Sequence, residues 1–343
     1  MLPTRIMHRE AERDSFGRHV YFDCTTPMTT RTVTASAPAR IDLAGGWTDV
    51  APYTTEVGGA VCNVAIEMRA VATVFAASSP APPTDPLIHA AWLRAGEPKV
   101  SVTLSSAIPV GSGLGGSSAA GVALAAALGA WQGDARTAAE LAELSRSTET
   151  ETMGLAGGCQ DHYAAAFGGA LLLACGAETS AVPIGLTDET IASLESRGLI
   201  AFTGESRISA RTITAVLDAY RQNEDVTCNS LRTMAALAPR MADALERGDI
   251  DRLGDLLGQQ WQAQRALHPT ITTPLIETIV TDAAAAGALA TKALGASGGG
   301  CVFVLAAAGT IHAVRAAVAR HATILPFRVA RSGVHITVSG DTD

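Results

Sequence analysis

The sequence predicts an α+β protein built as two lobes. One observation is a glycine-rich loop, Ile108-Pro-Val-Gly-Ser-Gly-Leu-Gly-Gly-Ser-Ser-Ala-Ala120, that runs straight into an Ala/Leu-rich helical stretch. A second is a pair of further glycine-rich segments, residues 38–49 and 295–300, each adjoining a strand-like run. The third is a second half that is mostly helical from about residue 203 and ends in strand, helix and strand patterns.

Residues 1–30 carry Arg5, Arg9, Glu10, Glu12, Arg13, Asp14 and Arg18 without an apolar stretch, so they read as a disordered N-terminal extension rather than a signal peptide. Residues 32–37 alternate like a strand and stop at Pro38. Residues 59–76 read as paired strands, 78–86 as a proline-rich surface loop, and 99–104 as a strand feeding the glycine loop. A helix is expected over about 117–131. Another should open at Thr137-Ala-Ala-Glu140, which has the spacing of a capping box, and run to about Met153. Apolar spacing then predicts helices around 213–217, 231–245, 253–267 and 275–285. They are followed by a strand at 301–306, a helix at 311–320, and paired strands at 327–330 and 334–338. The expected division is an extension at 1–30, a first domain at 31–202 and a second at 203–343, with no internal repeat.

With 343 residues, 48% of them hydrophobic, the chain can bury two cores, and its mean hydropathy of +0.23 is that of a globular protein. A net charge of −8 argues against nucleic acid or an anionic membrane surface as the main partner, since both require clustered Lys and Arg. Only Lys99 and Lys292 are lysines, and Lys292 stands beside the last glycine segment. The six cysteines show neither a CxxC pair nor metal-ligand spacing, so they read as buried free thiols of a cytoplasmic protein. No apolar run is long enough to suggest a membrane span.

The central loop has the chemistry of a phosphate cradle. Gly111, Gly113, Gly115 and Gly116 lack a Cβ, so the backbone can adopt positive φ and bring N–H groups close to anionic oxygens. The following helix directs its free N–H groups to the same place. Gly111-Ser-Gly-Leu-Gly-Gly116 also satisfies GxGxxG, but the region where a dinucleotide site needs an acid after a second strand is helical here. Gly295-Ala-Ser-Gly-Gly299 satisfies GxSxG, yet a strand rather than a helix follows Ser297, which disfavours a hydrolase elbow. There is no GxxxxGK[ST].

In their order and separation the three segments resemble the motifs of the GHMP kinases, the family of galacto-, homoserine, mevalonate and phosphomevalonate kinases, over residues 32–338. The central Pro-x-Gly-x-Gly-Leu-Gly-x-Ser-Ser pattern is specific to them. The resemblance implies a two-domain GHMP fold: an N-terminal α/β domain with the phosphate loop, and a C-terminal ferredoxin-like α+β domain. It also implies ATP and Mg²⁺ as cofactors. Pro109, Gly111, Ser112, Gly113, Leu114, Gly115, Gly116, Ser117 and Ser118 would hold the nucleotide, and Ser117 and Glu149 the metal. Asp161 would accept the proton of the sugar hydroxyl, its alternative being a helix N-cap, and Arg40 would keep it ionised or touch the γ-phosphate. Asp49 would receive hydrogen bonds from sugar hydroxyls, while Trp47 is either a stacking face for the ring or a core side chain. Gly46, Gly298 and Gly299 fall at the substrate by the same likeness.

Within the family the likeness is split between two sugar-1-kinase branches. Arg40-Ile-Asp-Leu-Ala-Gly-Gly-Trp-Thr-Asp49 looks like L-fucokinases, whereas Gln160-Asp-His-Tyr163, Thr203-Gly-Glu-Ser-Arg207 and Trp261 look like D-glycero-D-manno-heptose 7-phosphate kinases. The implied reaction is phosphorylation of an anomeric hydroxyl ahead of nucleotide-sugar formation, on a sugar or sugar phosphate. A cyclitol kinase and a non-catalytic sugar sensor are the alternatives, and retention of Asp161, Glu149 and Ser117 argues against the sensor. Arg207, with Arg211 and His268 behind it, is the candidate for a substrate phosphate, because a guanidinium fits phosphate oxygens bidentately. A homodimer and a monomer stay open.

Overall fold

A computed structural model describes residues 31–76, 81–205 and 210–340, together with the short strands β1 (Ala11–Arg13) and β2 (His19–Tyr21), which pair with each other. The remainder of the expected extension lies outside the described residues, as does Cys24.

The first lobe is an antiparallel sheet around two long strands, β3 (Thr32–Ala44) and β4 (Gly59–Ala76). In β3 the first half alternates, with Val33, Ala35 and Ala37 fully buried, and from Pro38 onward every residue is buried as the strand passes beneath the second lobe. The far edge of β4 is shared along its length. Residues 59–64 pair with β6 (Ala170–Cys175), and residues 70–76 with β5 (Val100–Ser106). The sheet continues from β6 to β7 (Ser180–Ile184), and β12 (His335–Ser339) pairs with β3.

Of the helices α1 (Tyr53–Glu56), α2 (Pro86–Arg94), α3 (Gly116–Gln132), α4 (Ala138–Ser147), α5 (Gln160–Phe167) and α6 (Asp188–Arg197), the central one is α3, packed on β3 and β4. Its alanines permit that close approach: Ala119, Ala123 and Ala127 are fully buried. The capping box of α4 is formed, with the Thr137 side chain accepting from Glu140 N and the Glu140 carboxylate accepting from Thr137 N.

The second lobe runs β8 (Gly198–Phe202), α7 (Ala210–Arg221), α8 (Asp225–Glu246), α9 (Ile250–Ala266), α10 (Pro274–Ala285), β9 (Ala288–Ala293), β10 (Cys301–Ala306), α11 (Ile311–Val318) and β11 (Thr323–Leu325). Its antiparallel sheet has the order β11-β8-β10-β9, the split β-α-β arrangement of a ferredoxin-like unit with several helices in the first crossover. Thus β8, which precedes residue 203, pairs within the second sheet, and β12 returns to the first.

Two expected elements differ. Residues 327–330 do not pair with 334–338. Instead Arg328 O accepts from Glu67 N and Ala330 N donates to Ala65 O, filling the gap on β4 between β6 and β5, and the strand partner of β12 is β3. The helix expected to reach Met153 is α-helical only to Ser147 and continues as a π-helical turn, Thr148–Thr152. Cys62, Cys159, Cys175, Cys228 and Cys301 are free and buried. Among the described residues no helix is long and apolar enough to cross a membrane.

Candidate active site

The site lies where β3, the phosphate loop, α5 and the loop after β9 converge. Arg40 and Asp42, two apart on β3, project from one face of the strand. The chain then turns through Gly45, at φ 80°, where a Cβ would strike the Ala60 carbonyl. Trp47 follows with φ 79°, unusual for a bulky residue, and its ring is 7% exposed. It packs with Tyr53 into the core of the second lobe while also lining the cleft. Both readings of Trp47 therefore retain support.

In the phosphate loop Gly111, Gly113 and Gly115 all have φ between 70° and 76°. Gly115 caps α3 without any side-chain hydrogen bond, leaving the N–H groups of the first turn directed outward. Gly113 is required for a second reason, since a Cβ there would lie 2.6 Å from Leu294 O. The glycine segment after β9 packs against the phosphate loop, with Cys301 N donating to Ser112 O at 2.7 Å. Within it Gly295 borders the cleft, whereas Gly298 and Gly299 abut the backbones of Thr270 and Glu205 and do not line it. Ser112 and Leu114 are buried, and Leu114 O accepts from Arg40 N.

Asp161, in the first turn of α5, is held by Arg40. Nε and Nη2 both donate to Asp161 Oδ1 at 2.6 Å, while Nη1 donates to Gly113 O at 2.6 Å. One buried guanidinium thus joins the carboxylate to the phosphate loop. Burial works against the charge on Arg40, but Asp161, Asp42 and Asp49 together raise its pKa. The Asp161 carboxylate lies 3.2 Å from where a Gly115 Cβ would be, at the entrance to α3.

Ser117 Oγ lies 3.2 Å from Glu149 Oε1. Glu149 comes from the π-helical turn, a distortion frequent at functional sites. His162 Nε2 is 3.0 Å from Glu149 Oε2, and His162 Nδ1 is 2.9 Å from Ser145 Oγ. Burial disfavours the Glu149 carboxylate, yet hydrogen bonds from His162, Ser117 and Ser118 hold its pKa below the ordinary value. Glu151, two residues on, is exposed and pairs with Arg94. The set fits a magnesium ion bound with nucleotide phosphates, a serine hydroxyl and one carboxylate beside a helix N-terminus. Among the described residues there is no cluster of three or more His, Cys, Asp or Glu that would make a protein-only metal cage.

Between these groups opens a cleft of about 150 Å³, lined by Arg40, Asp42, Gly46, Trp47, Asp49, Gln160 and Asp161. Asp49 is buried and accepts from Gln160 N at 3.1 Å. Burial pushes its carboxyl up to about 6, Asp161 adding to the rise and the Gln160 N–H opposing it. Arg207 and the Arg211 side chain lie outside the described residues. His268 caps the short turn Pro269–Ile271 through Thr270 N and does not line the cleft.

The sequence reading passed over Asp42 and Gln160 as site residues. Asp42 forms a buried ion pair with Lys292, and only its i+2 spacing from Arg40 within a quoted motif pointed to it.

Comparison with known proteins finds likeness to the GHMP kinases over both lobes. Residues 86–169 match the GHMP kinases N-terminal domain and residues 241–323 the GHMP kinases C-terminal domain. The D-glycero-alpha-D-manno-heptose 7-phosphate kinase of Campylobacter jejuni is 27% identical over 306 residues, covering 80% of this chain and 89% of that protein. The L-fucokinase/L-fucose-1-P guanylyltransferase of Bacteroides fragilis is 27% identical over 324 residues, covering 79% of this chain, which spans about a third (34%) of that longer protein. In fold, the chain is similar to a D-glycero-D-manno-heptose 1-phosphate kinase from Bacteroides thetaiotaomicron, with TM-score 0.71, 24% identity and coverage of 89% of this chain and 98% of that one.

Proposed function

The chain belongs to the GHMP kinase family, and from that premise we propose that it is a cytoplasmic sugar kinase, transferring the γ-phosphoryl group of ATP to the anomeric hydroxyl of a sugar phosphate of the heptose 7-phosphate kind. The observation that carries the reading is Arg40 bridging Asp161 to Gly113 O, which sets a carboxylate against the entrance to α3.

Phosphoryl transfer needs positioning and charge compensation more than covalent help from protein. The N–H groups of the phosphate loop and of the first turn of α3 would hold the nucleotide phosphates, and Ser117 and Glu149 would hold Mg²⁺. When bound, the metal supplies positive charge to offset that on the phosphate oxygens. Asp161 takes the proton of the sugar hydroxyl, and Arg40 keeps the carboxylate aimed into the cleft. Asp49, buried beside the cleft, hydrogen-bonds the other ring hydroxyls.

One observation favours a second reading, a free sugar such as L-fucose. The cation that lines the cleft among the described residues, Arg40, is already engaged by Asp161 and Gly113. A phosphate on the substrate would then depend on Arg207. An ADP-release assay over a panel of free and phosphorylated sugars separates the two. On the sugar-phosphate reading, Arg207→Ala raises KM for the sugar by about ten- to a hundredfold, the scale of a charge-assisted contact, and leaves KM for ATP little changed. Turnover of L-fucose with no activity on any phosphorylated sugar would transfer the assignment to the second reading.

A further inference from the structure

The buried ion pair between Lys292 and Asp42 has no part in the chemistry described so far. Lys292 is 0% exposed, and its Nζ donates to Asp42 Oδ2 at 2.6 Å and to Ala293 O at 3.2 Å. Asp42 is 2% exposed. Removing both charges from water is costly, and an apolar pair of similar volume generally serves stability at least as well. Stability alone therefore gives a poor reason for this pair.

Its place in the fold gives a better one. Lys292 belongs to β9 in the second sheet and Asp42 to β3 in the first, so the pair joins the lobes under the cleft. The other oxygen of Asp42 accepts from Gly295 N at 3.2 Å, and a Cβ on Gly295 would come within 3.0 Å of Gly113 Cα. Arg40 shares its strand face with Asp42 and lines the same cleft, so three carboxylates act on its guanidinium, Asp161, which it binds, and Asp42 and Asp49 beyond it. Burial lowers the Lys292 pKa and Asp42 counteracts that fall, with the charge of Arg40 acting on the lysine as well.

Resting on the reading of Asp161 as the base, we propose that Lys292 is a positioning residue: by engaging Asp42 it leaves Arg40 to Asp161 and fixes the glycine loop after β9 against the phosphate loop. Loss of the lysine charge leaves Asp42 unpaired, and Arg40 turns to it. Loss of both charges removes the competition.

The test is a double-mutant cycle on the full chain, with Lys292→Met, Asp42→Asn and the two combined, read by kcat, by KM for sugar and ATP, and by crystal structures. Lys292→Met should lower kcat about 30-fold or more, with both KM values within about threefold of wild type and Arg40 found on Asp42. The double variant should regain at least about tenfold in kcat over Lys292→Met, with Arg40 again on Asp161. Relief of a lone buried charge would by itself restore some kcat in the double variant, so the discriminating readout is Arg40 found on Asp42 in the single variant and back on Asp161 in the double, which a purely structural pair does not predict. Should Lys292→Met fail to fold, Lys292→Gln, which keeps a donor but not the charge, takes its place. The proposal is overturned if Arg40 stays on Asp161 in the single variant, or if the double variant is no faster than it. Absence of ATP-dependent turnover in the wild type would count against the reading of the site, and the position of Arg40 in the crystals would still decide the role of Lys292.

Discussion

Asp161 and Asp49 lie in one cleft and experience different surroundings. Asp161 is tied to a guanidinium, while Asp49 is buried, accepts from Gln160 N and forms no ion pair among the described residues. Asp161→Asn keeps the shape and can still accept from Arg40, so nucleotide binding should persist while kcat falls about 10²-fold or more, the scale of a lost general base. Steady-state kinetics beside a nucleotide titration checks both parts. For Asp49 the consequence is in stability. Its pKa is raised from 3.8 to about 6, so between those values the unfolded chain ionises before the folded one. The stability associated with its neutral form is whole below pH 4 and is lost as pH rises through 6, amounting to about 3 kcal/mol from the size of the shift. Asp49→Asn should therefore gain stability relative to wild type from pH 4 to 7, as urea unfolding at several pH values would show. Both aspartates were legible in the sequence because each falls within a motif with fixed spacing to glycines. Asp42 and Gln160 were not, since their roles depend on partners more than 100 residues away.

Elements were readable where local chemistry decides them. The capping box opens α4 as Thr137 and Glu140 indicate, and Gly115 and Gly133, both with left-handed φ, bracket α3. Local rules failed where tertiary partners intervene: residues 328–330 take the place left open on β4, and the helix bearing Glu149 ends in a π turn that brings its carboxylate to Ser117. That turn also separates Glu149 from Glu151, which pairs with Arg94 on the surface. Ser117→Ala and Glu149→Gln should each raise the Mg²⁺ concentration for half-maximal activity several-fold. Glu151→Gln should leave it where it is. Equal shifts for Glu149 and Glu151 in a magnesium titration would show that the turn has been misassigned.

At the scale of the whole molecule, two sheets share one chain unequally. A split near residue 203 is what the change of periodicity leads one to expect. The exchange of β8 and β12 across it leaves no local mark, because β8 pairs with a strand about 100 residues on and β12 with one about 300 residues back. A fragment comprising residues 31–202 should fail to give a cooperative unfolding transition, for it lacks β12 and the segment that fills the gap on β4. Adding residues 203–340 as a second polypeptide should restore one, which calorimetry would detect. The pairing of β12 with the first half of β3, Ser339 opposite Thr32, has a consequence for how this protein comes into being. During synthesis the first lobe cannot close until residues 335–339 have left the ribosome, so its sheet waits with one edge bare through the making of the entire second lobe. The same adjacency makes residues 31 and 340 natural points for a short artificial tether, and a permuted gene opened in the exposed loop near residue 83 would produce β12 and β3 as one continuous stretch, with the second lobe already made when they emerge.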